Sequence, residues 1–183
     1  GERTAYAAVL FTCPSGCSIP KKRYSGTASA PSPFSCRTRD TGPMHIGVSE
    51  RSGYGVSDVR VGARWMVERV GAAREAGLDS LFLGEHHSSG GSYYQNVPML
   101  GRLLAEWGDR PAGALFLLPL WHPVLLAEQV GTLASLTSGR FILQCALGGG
   151  EDQFGGMGVP LRERVARFES TLAALRRLLA GDV

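Results

Sequence analysis

The side chains best able to do chemistry fall in three short runs. Glu85-His86-His87 sets one carboxylate beside two imidazoles. Histidine exchanges protons near neutral pH, so this run offers general acid–base work. Burying three such groups is costly unless they are bonded or used; the plain alternative is that they only hydrogen-bond nearby loops. Adjacent residues of an extended chain point to opposite faces, so His86 and His87 do not serve one ion, and no metal ligand is expected. His122 directly precedes Pro123, where its ring either acts or satisfies a loop carbonyl. Gly148-Gly149-Gly150 lacks the Cβ atoms that keep a planar ligand off the backbone, yet it reads equally well as a turn. Glu151 and Asp152 beside it speak against a phosphate at that spot. Arg162, Arg164 and Arg167 read as the solvated face of a helix. Residues 44–183 contain no lysine, which excludes Schiff-base chemistry there.

These runs need elements to position them. His45 to Ser49 reads as a strand, and Ser57 caps a helix whose apolar residues Val59, Ala63, Met66, Val70 and Ala73 recur every three or four positions up to Gly77. Ser80 to His87 is a second strand. Its helix has Pro98 near the first position and Leu100, Leu103, Leu104 and Trp107 on its apolar face. Ala112 to Leu120 is a continuous apolar run of the kind buried in parallel sheets, followed by a helix carrying Leu126, Val130 and Leu133. Phe141 to Leu147 is the fourth strand. Beyond a glycine-rich loop over 148–158, Leu161, Val165, Phe168, Leu172, Leu175 and Leu179 mark a fourth amphipathic helix. Four successive βα units imply an α/β fold with a parallel sheet, either doubly wound or part of a barrel. In both architectures ligands sit beyond the carboxyl ends of the strands, where all three runs lie. Nucleotide fingerprints fail: Gly53-Tyr54-Gly55-Val56-Ser57-Asp58 has Asp in the third glycine position, and no Gly-Lys-Ser/Thr occurs in the chain.

Residues 1–43 differ in character. They hold six basic against two acidic residues, net +4, whereas residues 44–183 hold thirteen against fourteen, net −1. The basic charge is therefore local and supports no nucleic-acid groove. Cys13, Cys17 and Cys36 lie in this segment without a nearby histidine, and Cys145 stands alone later, so neither a zinc site nor a disulfide framework is expected and a reducing, cytoplasmic setting is. Ala5 to Phe11 is the segment's one apolar run, and Lys21-Lys22-Arg23 interrupts any signal-peptide pattern. Residues 1–43 thus read as a disordered extension ahead of a domain over 44–183, with Met44 as its natural start. No apolar run reaches the roughly 20 residues of a bilayer span, and no membrane partner is expected.

The runs Gly77 to His87, Leu118-Pro119-Leu120-Trp121-His122-Pro123-Val124, Ser138-Gly139-Arg140-Phe141 and Phe154-Gly155-Gly156-Met157-Gly158-Val159 before Arg162 to Arg164 come in an order and spacing similar to the bacterial luciferase-like flavin monooxygenase family, over about residues 44–180. The resemblance implies a TIM-type barrel of which this chain carries the N-terminal half, four βα units of eight. It implies reduced FMN with oxygen, or coenzyme F420 for hydride transfer, as cofactor, and a small organic molecule as substrate. Carried over by position, it makes His86 the catalytic histidine with Glu85 beside it, and places Ala114, Leu115, Ala146 and Gly148 against the flavin, with a cis peptide bond at Ala114-Leu115. Ala146-Leu147 departs from luciferase itself and speaks against long-chain aldehyde luminescence. With half a barrel, the first strand and the fourth are expected to be open edges, favouring a homo-oligomer or a completing chain. The competing readings are a non-catalytic flavin-fold subunit or fragment, and a metal-dependent hydrolase using the histidines.

Overall fold

Each of the four apolar runs forms a strand, and each strand is followed by a helix running back along the sheet. The structure, a computed structural model, describes residues 44–88 and 91–182. The expected extension over 1–43, with Cys13, Cys17 and Cys36, lies outside the described residues. The strands are β1 (Gly47–Glu50), β2 (Ser80–Leu83), β3 (Ala112–Leu117) and β4 (Phe141–Ala146), and the helices are α1 (Val59–Glu75), α2 (Asn96–Trp107), α3 (Pro123–Leu136), α4 (Glu151–Gly156) and α5 (Arg164–Ala180). All three strand pairings are parallel and the order is β1-β2-β3-β4.

That order decides between the two architectures left open by periodicity. A doubly wound sheet reverses its strand order at a switch point and carries helices on both faces, whereas a barrel winds in one direction with its helices on one face. Here Met66 and Val70 of α1, Leu100, Leu103 and Trp107 of α2, Leu126 and Leu133 of α3 and Leu175 of α5 share one core with Leu81, Leu83, Ala112, Ala114, Phe116, Phe141, Leu143 and Cys145. Every helix of that core therefore packs on the same face, as in a barrel segment. The alternate residues occupy the other face, where the pairing Ser49 to Phe82 to Gly113 to Ile142 forms one row across the sheet. Gly113 belongs in that row because a Cβ there would overlap the Ile142 carbonyl oxygen and come within 2.9 Å of the Phe82 ring.

Several element limits differ from expectation, each for a local reason. Asp58, not Ser57, caps α1, accepting from Arg60 N–H at 2.8 Å. Strand β2 stops at Leu83, where its pairing with both neighbours ends, and residues 84–87 continue unpaired. Strand β3 stops at Leu117 because Leu118-Pro119-Leu120 tightens into a 3₁₀ turn, in which Pro119 can offer no ladder N–H. Helix α2 starts at Asn96 and places Pro98 third. The glycine-rich stretch contains α4, with Glu151 and Asp152 in its first turn, where carboxylates favour a helix. Strands β1 and β4 are the edges of the four-stranded sheet. Among the described residues no helix is long and apolar enough to cross a membrane.

Candidate active site

Beyond Leu83 the alternation of the strand persists without its hydrogen bonds: Glu85 is buried, His86 exposed and His87 buried. Side-chain bonds replace the ladder. Glu85 turns to the helix side, where one carboxylate oxygen accepts from Leu117 N–H at 2.5 Å and the other from Trp121 Nε1–H at 2.8 Å. It thereby ties the end of β2 to the turn after β3. His87 N–H donates to Gln153 Oε1 at 2.9 Å, and Gln153 Nε2 donates to the Gly149 carbonyl at 3.0 Å, so α4 holds the histidine segment from the β4 side. His87 Nε2 lies 3.2 Å from Glu85 Oε1, outside hydrogen-bonding geometry, and is buried without a bond. Ser88 then takes a left-handed φ of 48°, which costs a non-glycine residue energy unless its surroundings enforce it. Its side chain rests where a Cβ on Gly156 would be, so glycine at 156 makes room for it.

The structure therefore separates the sequence-derived candidates by face. His86, Leu115 and Ala146 have the parity of the helix-free face, and Gly148 follows at the end of β4 with φ 69°. A Cβ on Gly148 would sit 3.4 Å from both Leu117 and Phe154, so the glycine passes between two apolar side chains. Ala114 is fully buried in the helix-side core, and Glu85 also faces that side. The cis peptide expected at Ala114-Leu115 is corrected: no cis bond occurs among the described residues, and Ala114 and Leu115 continue the regular β3–β4 register. Leu115 is fixed from its carbonyl, which accepts from Asn96 Nδ2 at 3.0 Å.

Sequence reasoning missed Asn96, Trp121, Gln153 and Arg164. Asn96 is buried at the first position of α2, and a buried amide needs partners, the one signal that could have pointed to it. Arg164, read as solvated, is only partly exposed, and its Nε is buried without a partner. His122 caps α3 through its backbone only. At the end of β1, Glu50 is buried, takes a hydrogen bond from Tyr54 Oη and has Arg69 Nη1 at 3.6 Å. Burial first, and then this bond to Glu50, pushes the Tyr54 hydroxyl up to about 12; this cluster anchors the loop after β1. No group of three or more metal-ligating side chains occurs among the described residues.

The model of the luciferase-like monooxygenases matches residues 44–183. The chain belongs to the luciferase-like monooxygenase family. It is 31% identical over 142 residues to an F420-dependent glucose-6-phosphate dehydrogenase of Beutenbergia cavernae, covering 72% of this chain and 42% of that protein. It is 28% identical over 128 residues to limonene 1,2-monooxygenase of Rhodococcus erythropolis, covering 69% and 33%. Among solved structures, the oxygenating constituent of 3,6-diketocamphane monooxygenase from Pseudomonas putida, in complex with FMN, superposes with a TM-score of 0.67 at 19% identity, covering 74% of this chain and 39% of that one. The shared fold is thus the luciferase-like one, and the chain spans about two-fifths of the length of the F420-dependent dehydrogenases it matches. The α/β class and parallel sheet agree with the expectation from sequence.

Proposed function

We propose that this chain forms the His86 side of the active site of a flavin-type oxidoreductase, with reduced FMN or F420 as cofactor and a small organic substrate. The reading rests on family membership and on relatives named as F420-dependent dehydrogenases and as monooxygenases. The observation that carries it is the state of His86: exposed, at the carboxyl end of β2, and with no hydrogen bond to any described residue, while both its neighbours are buried and fixed. An imidazole held by its backbone but free at its ring suits proton transfer. Catalytic duty falls to His86 alone. Glu85 is a positioning residue, because both its oxygens already accept hydrogen bonds on the helix side.

The residues present fit such a cofactor. Leu115 and Gly148, both partly exposed, offer apolar and backbone surface on the face that His86 shares, whereas Ala146 is buried there; a Cβ on Gly149 or Gly150 would meet no atom within 4 Å, so the backbone there is open to a ligand. The bound flavin or deazaflavin would supply the redox chemistry. His86 would give or take the accompanying proton, and the buried Glu85–Trp121 contact would keep the β3 turn from moving away.

The test pairs binding with turnover. The chain is titrated with FMN and with F420 and assayed for F420 reduction by glucose 6-phosphate and for reduced-flavin oxygenation. His86→Ala is expected to keep cofactor affinity and to lower turnover by about 10²–10⁴-fold, the usual worth of a general acid or base. Unchanged turnover at saturating cofactor removes His86 from the mechanism.

A further inference from the structure

Strands β2 and β4 are not neighbours in the sheet, since β3 lies between them. Past the end of the sheet one side chain nevertheless joins them. Gln153, in the first turn of α4, accepts from His87 N–H at 2.9 Å through Oε1 and donates to the Gly149 carbonyl at 3.0 Å through Nε2. The two partners dictate the residue type: one needs an acceptor and the other a donor, which an amide supplies together and a carboxylate does not. Helix α4 is itself held, because Phe154 is fully buried and its N–H donates to the Gly150 carbonyl at 3.1 Å. The histidine segment meets α4 a second time where Ser88 packs on Gly156.

Each end of the amide bears on the site. The His87 N–H belongs to the planar peptide unit that follows the His86 Cα, so holding it fixes ψ of His86. Glu85 secures the chain on the other side, which leaves the exposed imidazole only its side-chain torsions. Gly149, at the other end of the amide, is exposed, and an added Cβ there would meet no atom within 4 Å. We infer that Gln153 is a positioning residue for His86, tying the imidazole to the glycine turn 148–150 so that ring and turn keep one spacing. The inference rests on the role of His86 proposed above. A Gln153 that only stabilised α4 would change how much protein is folded and leave the His86 ring of the folded chain where it is. A positioning Gln153 moves that ring without unfolding anything.

Two substitutions in the full chain separate the halves of the amide. Gln153→Met keeps the length and removes both bonds, whereas Gln153→Glu keeps the acceptor for His87 N–H and loses the donor to Gly149. Deuterium exchange of the His87 amide and the His86 ring resonances are followed by nuclear magnetic resonance without cofactor. Gln153→Met is expected to speed that exchange about threefold to tenfold and to shift the ring resonances; Gln153→Glu is expected to leave both near the parent. At saturating FMN or F420, Gln153→Met should lower kcat by about 10–10²-fold, the cost of a misplaced catalytic group. Gln153→Glu should lose clearly less, and its larger effect should fall on cofactor affinity, through the altered turn. Rates are taken per folded protein by circular dichroism, and Gln153→Ala, with the outcomes expected of Gln153→Met, replaces it if it does not fold. Unchanged His87 exchange and His86 resonances on loss of both bonds overturn the inference, as does a kcat loss in Gln153→Glu equal to that in Gln153→Met. Should the parent turn over neither cofactor, the proposed function falls, and the two cofactor-free signals decide the role of Gln153 by themselves.

Discussion

Replacing Glu85 by glutamine tests the claim that this carboxylate is a structural tie. Its two oxygens accept from two different buried donors, the Leu117 amide and the Trp121 indole. A glutamine of the same shape has one oxygen and one NH₂ group, so whichever way the amide turns, a donor faces a donor. Leaving one buried donor unmet costs about 1–3 kcal/mol. At about 2–4 °C per kcal/mol in a protein of this size, a 2 kcal/mol loss lowers the unfolding midpoint by about 4–8 °C. Glu85→Ala strands both donors and leaves a void, and should fall further. The assay is thermal unfolding followed at once by far-ultraviolet circular dichroism and by tryptophan emission, the latter sensitive to Trp121. An unchanged midpoint for Glu85→Gln would refute the tie and return Glu85 to the list of groups free to react.

Three further outcomes follow from the packing. Gly113→Ala should destabilise by about 1–3 kcal/mol, the usual cost of overfilling a packed site, because its Cβ would run into the Ile142 carbonyl and the Phe82 ring; a neutral effect in urea unfolding would show that the β3–β4 pairing is looser than described. The Ile46 N–H donates to Asp79 at 2.7 Å and, as the main cause, holds that carboxyl below the ordinary aspartate range. The stability it contributes is present above the ordinary aspartate value and is lost as pH falls through the lowered one, so Asp79→Asn should be less stable than the parent at neutral pH, with the gap closing in strong acid; a gap that persists there would contradict the assignment. Burial pushes the Cys145 thiol up to about 11, so iodoacetamide at pH 8 should label Cys145 only after denaturation, as peptide mass spectrometry will show.

Repetition made the fold readable in the sequence. The apolar spacing of α1, the continuous run of β3 and the leucines of α5 each point to one element, and four such units in series restrict the chain to a parallel sheet. Strand order was not legible, since periodicity reports which residues are buried and says nothing of which strand lies next to which. The helix α4 was hidden because Gly155 and Gly156 are poor helix formers, and only packing against Ser88 explains glycine at 156. In the site, residue type pointed to Glu85-His86-His87, but its division into one free ring between two fixed neighbours depends on partners 32 to 66 residues away. No local pattern carries that information. Ala114 shows the converse: the family resemblance placed it against the flavin, and strand parity sets its side chain in the helix-side core.

Parity also makes the two histidines unequal in a way that adjacency conceals. Since the two-residue alternation of β2 runs on through residues 84–87, deleting or inserting one residue between Leu83 and Glu85 would move every following side chain to the opposite face. His86 would then turn in toward Trp121 and the α3 turn, His87 would turn out, and the Glu85 carboxylate would lose both its donors. The spacing between Leu83 and His86 is therefore part of the site in the same sense as the residues themselves. Between Leu83 and Ser88 the length of the chain is therefore as fixed as its residue types.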